Sequence, residues 1–272
     1  MTFSVVVITH NNFSVKNGCI ETVILSIERQ KNVNYEIIVI DNNSENQDKE
    51  KLKALALKHP NIKLLFNCEN NISKGRNLGA LNAKYDYIIY IDDDMVLNDN
   101  LTFDSMQNLI KDQVYGYSAK RLWTLEGWYE RNKSKIHENI LKNVDNYAMI
   151  TSEPDPIVRR MKNNRHLVRT YIGNFGFIKK EALESVGMWN EDYSGYGIED
   201  DTMAFKLYMK YGRPLILNEI SVVHIWHEIN KKNYLELIEN KKKFDLLLKK
   251  HGVKVFHVGR ILYKEDNVIE WL

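Results

Sequence analysis

The chain has 272 residues, enough for a sizeable core and for one α/β domain with decoration. Its hydrophobic content of 44% and charged content of 27% are those of an ordinary soluble globule, and a net charge of +2 gives no electrostatic reason to bind nucleic acid. Two cysteines, Cys19 and Cys68, exclude a disulfide framework and zinc-type spacing. No apolar run approaches the roughly 20 residues that span a bilayer, and Met1 to Ile8 enter a strand directly. The expected location is therefore the cytoplasm, with reduced thiols.

Phe3 to Ile8 reads as a buried strand that ends at Thr9-His10-Asn11-Asn12. Ile20, Val23, Ile24 and Ile27 then repeat at helical spacing. Glu36 to Ile40 is a second strand, ending at Asp41-Asn42-Asn43-Ser44. Leu52, Leu55 and Ala56 mark a second amphipathic helix, Ile62 to Phe66 a third strand, and Ser73 to Ala83 a third helix. A fourth strand, Tyr87 to Ile91, runs into three consecutive carboxylates, Asp92, Asp93 and Asp94. Strand and helix alternate throughout, which predicts a parallel sheet with helices on both faces.

In open sheets of this kind ligands bind beyond the carboxyl ends of the strands. The three polar clusters Thr9–Asn12, Asp41–Ser44 and Asp92–Asp94 all fall there, so they should converge on one rim. Three adjacent acids repel one another and need a positive partner. A divalent cation supplies one through carboxylate oxygens; a solvated acidic turn is the plainer alternative.

The second half is less regular. Leu101 to Lys111 reads as a helix and Val114 to Ser118 as a strand, after which the pattern breaks down from Arg121 to Arg169. Trp123, Trp128 and Tyr129 in that segment could stack on a sugar ring or form a local packing cluster. The Pro154-Asp155-Pro156 turn and the basic pair Arg159-Arg160 follow. Tyr171 to Ile178 reads as a strand whose glycines permit close backbone approach. Gly195-Tyr196-Gly197-Ile198-Glu199-Asp200-Asp201 opens a helix with Met203, Leu207, Tyr208 and Tyr211 on its apolar side. Ser221 to Ile225 is a strand running into His224 and His227. Two histidines at that spacing on a strand face opposite ways unless the strand ends between them, so at most one is expected at the acidic rim. Asn233 to His251 is a basic amphipathic helix, read either as a docked helix with a charged outer face or as a contact with an anionic membrane surface.

Taken together, residues 3 to 228 resemble a GT-A glycosyltransferase of the family-2 type. Val5-Val6-Val7-Ile8-Thr9 resembles its opening strand. Ile38-Val39-Ile40-Asp41-Asn42-Asn43-Ser44 resembles the strand whose Asp contacts the uracil of a nucleotide donor. Gly75-Arg76-Asn77-Leu78-Gly79 resembles the segment whose Arg lies by the nucleotide, and Asp92-Asp93-Asp94 sits at the DxD position. The second half is closer to the galactosyltransferase-like branch. Tyr196-Gly197-Ile198-Glu199-Asp200 stands where that branch has Trp-Gly-Gly-Glu-Asp, with the acidic pair intact and the Trp and one Gly replaced. The branch's late metal-ligating His matches His227, which leaves His224 a supporting or structural role.

The resemblance implies an α/β fold of GT-A type. A Rossmann-like nucleotide-binding half with a mostly parallel central sheet (1–118) is fused to an acceptor and catalytic half (119–228), and a C-terminal helical extension follows (229–272). It implies Mn²⁺ or Mg²⁺ held by Asp92, Asp94 and His227. Donor-binding residues would be Thr9, Asp41, Arg76, Asp92, Asp93, Gly173 and Asn174, with Asp200 the catalytic base and Glu199 a hydrogen-bond partner of the acceptor. The implied partners are a nucleotide-sugar, with UDP the nucleotide pointed to, and a glycan, lipid-linked or protein acceptor; no nucleic acid is implied. The implied activity is that of an inverting hexosyltransferase in glycan or polysaccharide synthesis.

Sugar transfer needs two carboxylate sets with different tasks, one beside the leaving diphosphate and one taking the acceptor's proton. Asp92/Asp94 and Glu199/Asp200 provide them. A sugar-1-phosphate nucleotidyltransferase would want a glycine-rich basic loop after the first strand, and Thr9-His10-Asn11-Asn12 lacks one. A non-catalytic nucleotide- or carbohydrate-binding protein on the same scaffold is the other alternative; the intact Asp92, Asp94, Asp200 and His227 argue against it.

Overall fold

The computed structural model describes residues 1–118, 120–124, 129–130, 148–150, 172–193, 195, 197–227, 234–251, 253–256 and 260–263. The chain opens with β1 (Thr2–Thr9), a single helical turn α1 (Asn12–Val15) and α2 (Ile20–Glu28). There follow β2 (Asn34–Asn42), α3 (Asn46–Lys58), β3 (Ile62–Asn67), α4 (Ile72–Asn82) and β4 (Tyr87–Asp92). Next come β5 (Met95–Leu97), α5 (Thr102–Ile110), β6 (Tyr115–Tyr117), β7 (Lys120–Thr124) and β8 (Ala148–Ile150). The remainder is α6 (Ile172–Phe175), β9 (Gly176–Lys179), α7 (Lys180–Ser185), α8 (Glu199–Tyr211), β10 (Leu215–Ile216), β11 (Ser221–His224), α9 (Tyr234–Lys250), β12 (Val253–Phe256) and β13 (Arg260–Tyr263).

Seven strands form the central sheet in the order β10-β6-β9-β4-β1-β2-β3. β1 pairs in parallel with both β2 and β4, and β2 with β3, as the alternation predicts. β9 is the exception, inserted antiparallel between β4 and β6. Both faces of the sheet are covered, which is why its strands are continuously apolar rather than alternating. Phe3, Val5 and Val7 of β1 point into one core with Ile20, Val23, Ile24 and Ile27 of α2, whereas Val6 and Ile8 point into the other with Ala80 of α4. Gly79 lets α4 lie close on β1: a Cβ there would stand 2.4 Å from Val6 Cγ1.

A second sheet, β5-β11-β7-β8, begins three residues after β4 ends. Its β5 pairs antiparallel with β11, matching His224 to Met95, and β11 pairs in parallel with β7. The pattern that breaks down after Arg121 therefore still yields two strands, too short to show a period. Tyr129 is a core residue, buried with its hydroxyl on Thr22, and is not available to stack on a sugar. Trp128, Pro154 to Pro156, Arg159 and Arg160 lie outside the described residues, as does the side chain of Trp123. The strand expected over Tyr171 to Ile178 starts only at Gly176. Ile172–Phe175 makes a helical turn instead, because the Gly173 N–H turns to bond the Asp200 carboxylate. α9 docks Phe244 and Leu248 against Ala204 and Phe205 of α8, and Lys241, Lys242, Lys243, Lys249 and Lys250 stay exposed. Among the described residues no helix is long and apolar enough to cross a membrane.

Candidate active site

The parallel register builds the rim. Thr9 stands opposite Asp41, and Ile8 opposite Asp92, so the ends of β1, β2 and β4 are level. Asp41 is fully buried and accepts from the Ser44 N–H, closing the turn after β2. Thr9 Oγ1 donates to Asp93 Oδ2 at 2.6 Å, and Asn12 Nδ2 to the Asp93 carbonyl at 3.2 Å. Asp93 thus faces into the loop that follows β1, where Lys16 Nζ meets its Oδ1 at 2.7 Å.

Asp94 turns the other way, toward the second sheet. Its Oδ2 lies 3.0 Å from His227 Nε2 and its Oδ1 3.6 Å from His224 Nε2. The Ile225 N–H donates to the Asp94 carbonyl at 2.9 Å, which pins the segment between the two histidines to the acidic turn. Both imidazoles therefore reach the rim, against the expectation that only one would. β11 ends at His224, so the alternation of faces stops there and His227 folds back onto the same carboxylate. Lys16 Nζ also approaches Asp94 Oδ2, at 2.5 Å. Burial works to raise the Asp94 carboxyl, but Lys16 and the two histidines outweigh it and hold the group well below the usual carboxylate range. For Lys16, burial works to lower the ammonium, and Asp93 and Asp94 together raise it well above the ordinary lysine value.

Asp94, His224 and His227 offer one ligand atom each within 4.8 Å of one another. Asp94 Oδ1 is buried with no hydrogen-bond partner. A carboxylate with one unsatisfied oxygen and two imidazoles beside it fit a divalent first-row cation. The imidazoles suit Mn²⁺ better than Mg²⁺, which prefers an all-oxygen shell.

Asp92 belongs to a different group. Arg76, on α4, projects beneath the rim with only 1% of its side chain exposed. Its Nη1 lies 3.1 Å from both Glu199 Oε1 and Asp200 Oδ1, and its Nη2 3.7 Å from Asp92 Oδ1. The guanidinium stacks on Trp189, 4.4 Å from the ring centroid. One buried cation thus ties the carboxylates that close β4 to those that open α8. The Gly173 N–H donates to Asp200 Oδ1 at 3.1 Å, and Asn174 Nδ2 donates to Asp92 Oδ2, so α6 bridges the same two groups from above. Burial pushes the Asp92 carboxyl up to about 7, Arg76 opposes this, and Asp94 and Asp200 add to it.

α8 begins in a constrained turn. Gly197 has φ +90° and Ile198 φ +76°, the latter a left-handed conformation that costs a branched residue roughly 1–2 kcal/mol. Ile198 stands where the resembling family has its second Gly, and the backbone keeps the glycine-like shape. That shape aims Glu199 and Asp200 at Arg76.

All the sequence-predicted site residues except Asp41 meet in these two linked groups, and Asp41 lies on the same rim. Reading the sequence missed three contributors: His224, Trp189 beneath Arg76, and Lys16. The demand for a positive partner to three adjacent acids was the one signal that pointed toward Lys16.

Comparison with known proteins follows the same lines. The chain is 22% identical over 255 residues to an uncharacterized glycosyltransferase, YfnE, of Bacillus subtilis, covering 80% of this chain and 64% of that protein. It is 25% identical over 174 residues to a poly-beta-1,6-N-acetyl-D-glucosamine synthase of Staphylococcus epidermidis, covering 64% and 39%. The chain thus spans less than two thirds of either relative. Among solved structures it resembles the mannosyltransferase PcManGT of Pyrobaculum calidifontis in complex with GDP-Man and Mn²⁺, at 18% identity and TM-score 0.56, covering 85% of this chain and 58% of that one. It also resembles TarS of S. aureus in complex with UDP-GlcNAc, at 16% and 0.57 over 86% and 61%, and GalNAc-T7 with UDP, GalNAc and Mn²⁺, at 17% and 0.58 over 91% and 48%. These likenesses show the fold, the GT-A arrangement of a mixed, mostly parallel sheet flanked by helices. Residues 4–187 match Glycosyl transferase family 2, and since that match spans more than half of the chain, the protein belongs to this family.

Proposed function

We propose that the protein transfers a sugar from a nucleotide-sugar, with UDP as the nucleotide, to an acceptor hydroxyl with inversion at the anomeric carbon, in glycan or polysaccharide synthesis. The observation that carries this reading is a buried guanidinium that meets Asp92 at the end of β4 and Glu199 and Asp200 at the start of α8, with Asp94, two residues on, facing two imidazoles. The names of the similar proteins support it, with UDP-GlcNAc, UDP and GDP-Man among their ligands and a polysaccharide synthase among the relatives.

In this mechanism the nucleotide lies along the rim formed by Thr9, Asp41 and Asp92, with Gly173 and Asn174 beside the donor sugar. Asp94, His227 and His224 would hold a divalent cation, Mn²⁺ in preference to Mg²⁺, which when bound offsets the charge growing on the leaving diphosphate. Asp200 takes the proton of the attacking hydroxyl from the side opposite the diphosphate, and Glu199 orients that hydroxyl. Arg76 holds both acids in place before the acceptor arrives. The acceptor is a glycan, a lipid-linked sugar or a protein, and the exposed lysines of α9 suit a position at an anionic membrane surface.

The test is a screen of nucleotide-sugars for donor hydrolysis and transfer, with and without Mn²⁺, on wild type, Asp200→Asn and Asp94→Ala. Asp200→Asn should lose transfer by about 10²–10⁴-fold, the range for a general base, and Asp94→Ala should lose the response to Mn²⁺. Near-wild-type transfer by Asp200→Asn removes the base. Activity that survives exhaustive chelation removes the cation.

A further inference from the structure

We propose that Lys16 is a tethered cation occupying the place of a divalent ion at the Asp94 carboxylate, and that it must swing out before an ion binds, so that it sets the affinity of the site for divalent cations. This rests on the reading of Asp94, His224 and His227 as a cation site.

The geometry makes the two cations mutually exclusive. Lys16 Nζ sits 2.5 Å from Asp94 Oδ2 and 2.7 Å from Asp93 Oδ1. The same Asp94 Oδ2 faces His227 Nε2 at 3.0 Å. A metal bonds a carboxylate oxygen at roughly 2.0–2.2 Å. An ion on that oxygen would therefore stand within contact distance of the ammonium, a double positive charge against a single one, with little water between them. One of the two has to leave. Arg76, the other buried cation among the described residues of the site, cannot stand in for Lys16, because it is committed to Asp92, Glu199 and Asp200.

Lys16 is built to be the one that leaves. It lies in the turn between α1 and α2, followed by Asn17 at φ +56° and Gly18 at φ +74°. Its backbone is anchored by its own N–H on the Asn12 carbonyl at 2.8 Å. Its side chain is 18% exposed, whereas those of Asp93 and Asp94 are 5% and 4% exposed. An unbranched four-carbon stem that is already partly exposed can rotate into solvent without moving the backbone. The acids stay put when it goes. Asp93 keeps its bonds from Thr9 and Asn12, and the Asp94 backbone keeps its bond from Ile225. The lysine thus supplies the positive partner while no ion is bound and competes with the ion for it.

The experiment measures Mn²⁺ alone binding to the full chain, by calorimetry and by loss of the free-ion electron paramagnetic resonance signal, for wild type, Lys16→Met and Lys16→Arg. Lys16→Met should bind Mn²⁺ at least tenfold more tightly than wild type, about 1.4 kcal/mol. Lys16→Arg, which keeps the charge, should bind no more tightly than wild type. A wild type that does not bind, beside a Lys16→Met that does, also supports the proposal. Lys16→Met binding Mn²⁺ no more tightly than a wild type that does bind overturns it and leaves the cation site standing. Binding by neither protein overturns both. A measurement on wild type alone covers the case of a variant that does not fold: labelling of the Lys16 amine by an acetylating reagent, followed by mass spectrometry. Saturating Mn²⁺ should raise that rate several-fold over the rate in EDTA, and an unchanged rate overturns the displacement.

Discussion

Replacing Arg76 with methionine keeps an unbranched apolar stem and removes the guanidinium charge that joins the two halves of the site. In the wild type that charge, itself buried, neutralises Glu199 and Asp200 at 3.1 Å and lies 3.7 Å from Asp92. Methionine would leave Glu199 and Asp200 side by side without the guanidinium they share, and Glu199 Oε2 already lacks a partner. Removing one member of a buried ion pair costs about 3–5 kcal/mol, most of it from the charge left behind. The side chains of Asp200 and Asp92 are 20% and 23% exposed, so water relieves part of the penalty and the loss should lie near the lower end, about 3 kcal/mol. For a chain of this size that is a fall in melting temperature of roughly 6–12 °C. Urea denaturation followed by circular dichroism gives the free energy, and a thermal scan the temperature. Arg76→Lys should fall between the two proteins, since a single ammonium cannot reproduce the fork that meets both carboxylates or the stack on Trp189. A loss below about 1 kcal/mol for Arg76→Met would refute the claim that the guanidinium holds the acids together, and with it the account of how α4 and α8 are joined.

Gly173→Ala places a Cβ 2.0 Å from Arg76 Nη2 and 2.4 Å from Asp200 Oδ1, so it should cost about 1–3 kcal/mol in denaturation and lower transfer at least tenfold; a variant matching wild type in both would show that α6 can move aside freely. Asp92 carries the pH dependence. Its folded pKa, about 7, lies above the unfolded value near 3.9, so its contribution to stability is full below about pH 4 and is lost as pH rises through about 7. Asp92→Asn stays neutral throughout, so in EDTA it should melt above wild type at pH 8 and close to it at pH 4.5; a lower melting point at pH 8 would refute the burial argument.

The first half of the fold was legible because its strands are buried on both faces and its helices carry a regular apolar stripe. Continuous β-branched runs such as Val5 to Ile8 and Ile37 to Ile40 leave no other assignment, and the polar residues that end them mark the rim. The second half hides its elements for a physical reason. β5, β7, β8 and β11 are three to five residues long, shorter than a period needs to become visible, and they form a sheet only by pairing with partners distant in the chain. Tyr129 looked like a candidate for sugar stacking because its burial comes from contacts at the start of α2, distant in the chain, and not from the residues beside it.

The same cause explains which site residues escaped notice. Asp92 and Asp94 are two positions apart in the sequence, yet each belongs to a different structural neighbourhood. β4 ends at Asp92, facing Arg76 and α8, and Asp94 immediately precedes β5, which pairs with β11 and draws both histidines to it. The acidic turn is therefore the junction of the two sheets, and both imidazoles on the far side arrive through contacts more than a hundred residues away in sequence. His224 is tied to Asp94 by the register of β5 on β11, and Lys16 by the loop after β1. Neither link leaves a mark in local composition. A carboxylate run at the end of a buried strand states that a positive charge is needed; only the pairing of a second, short-stranded sheet decides which charges are delivered.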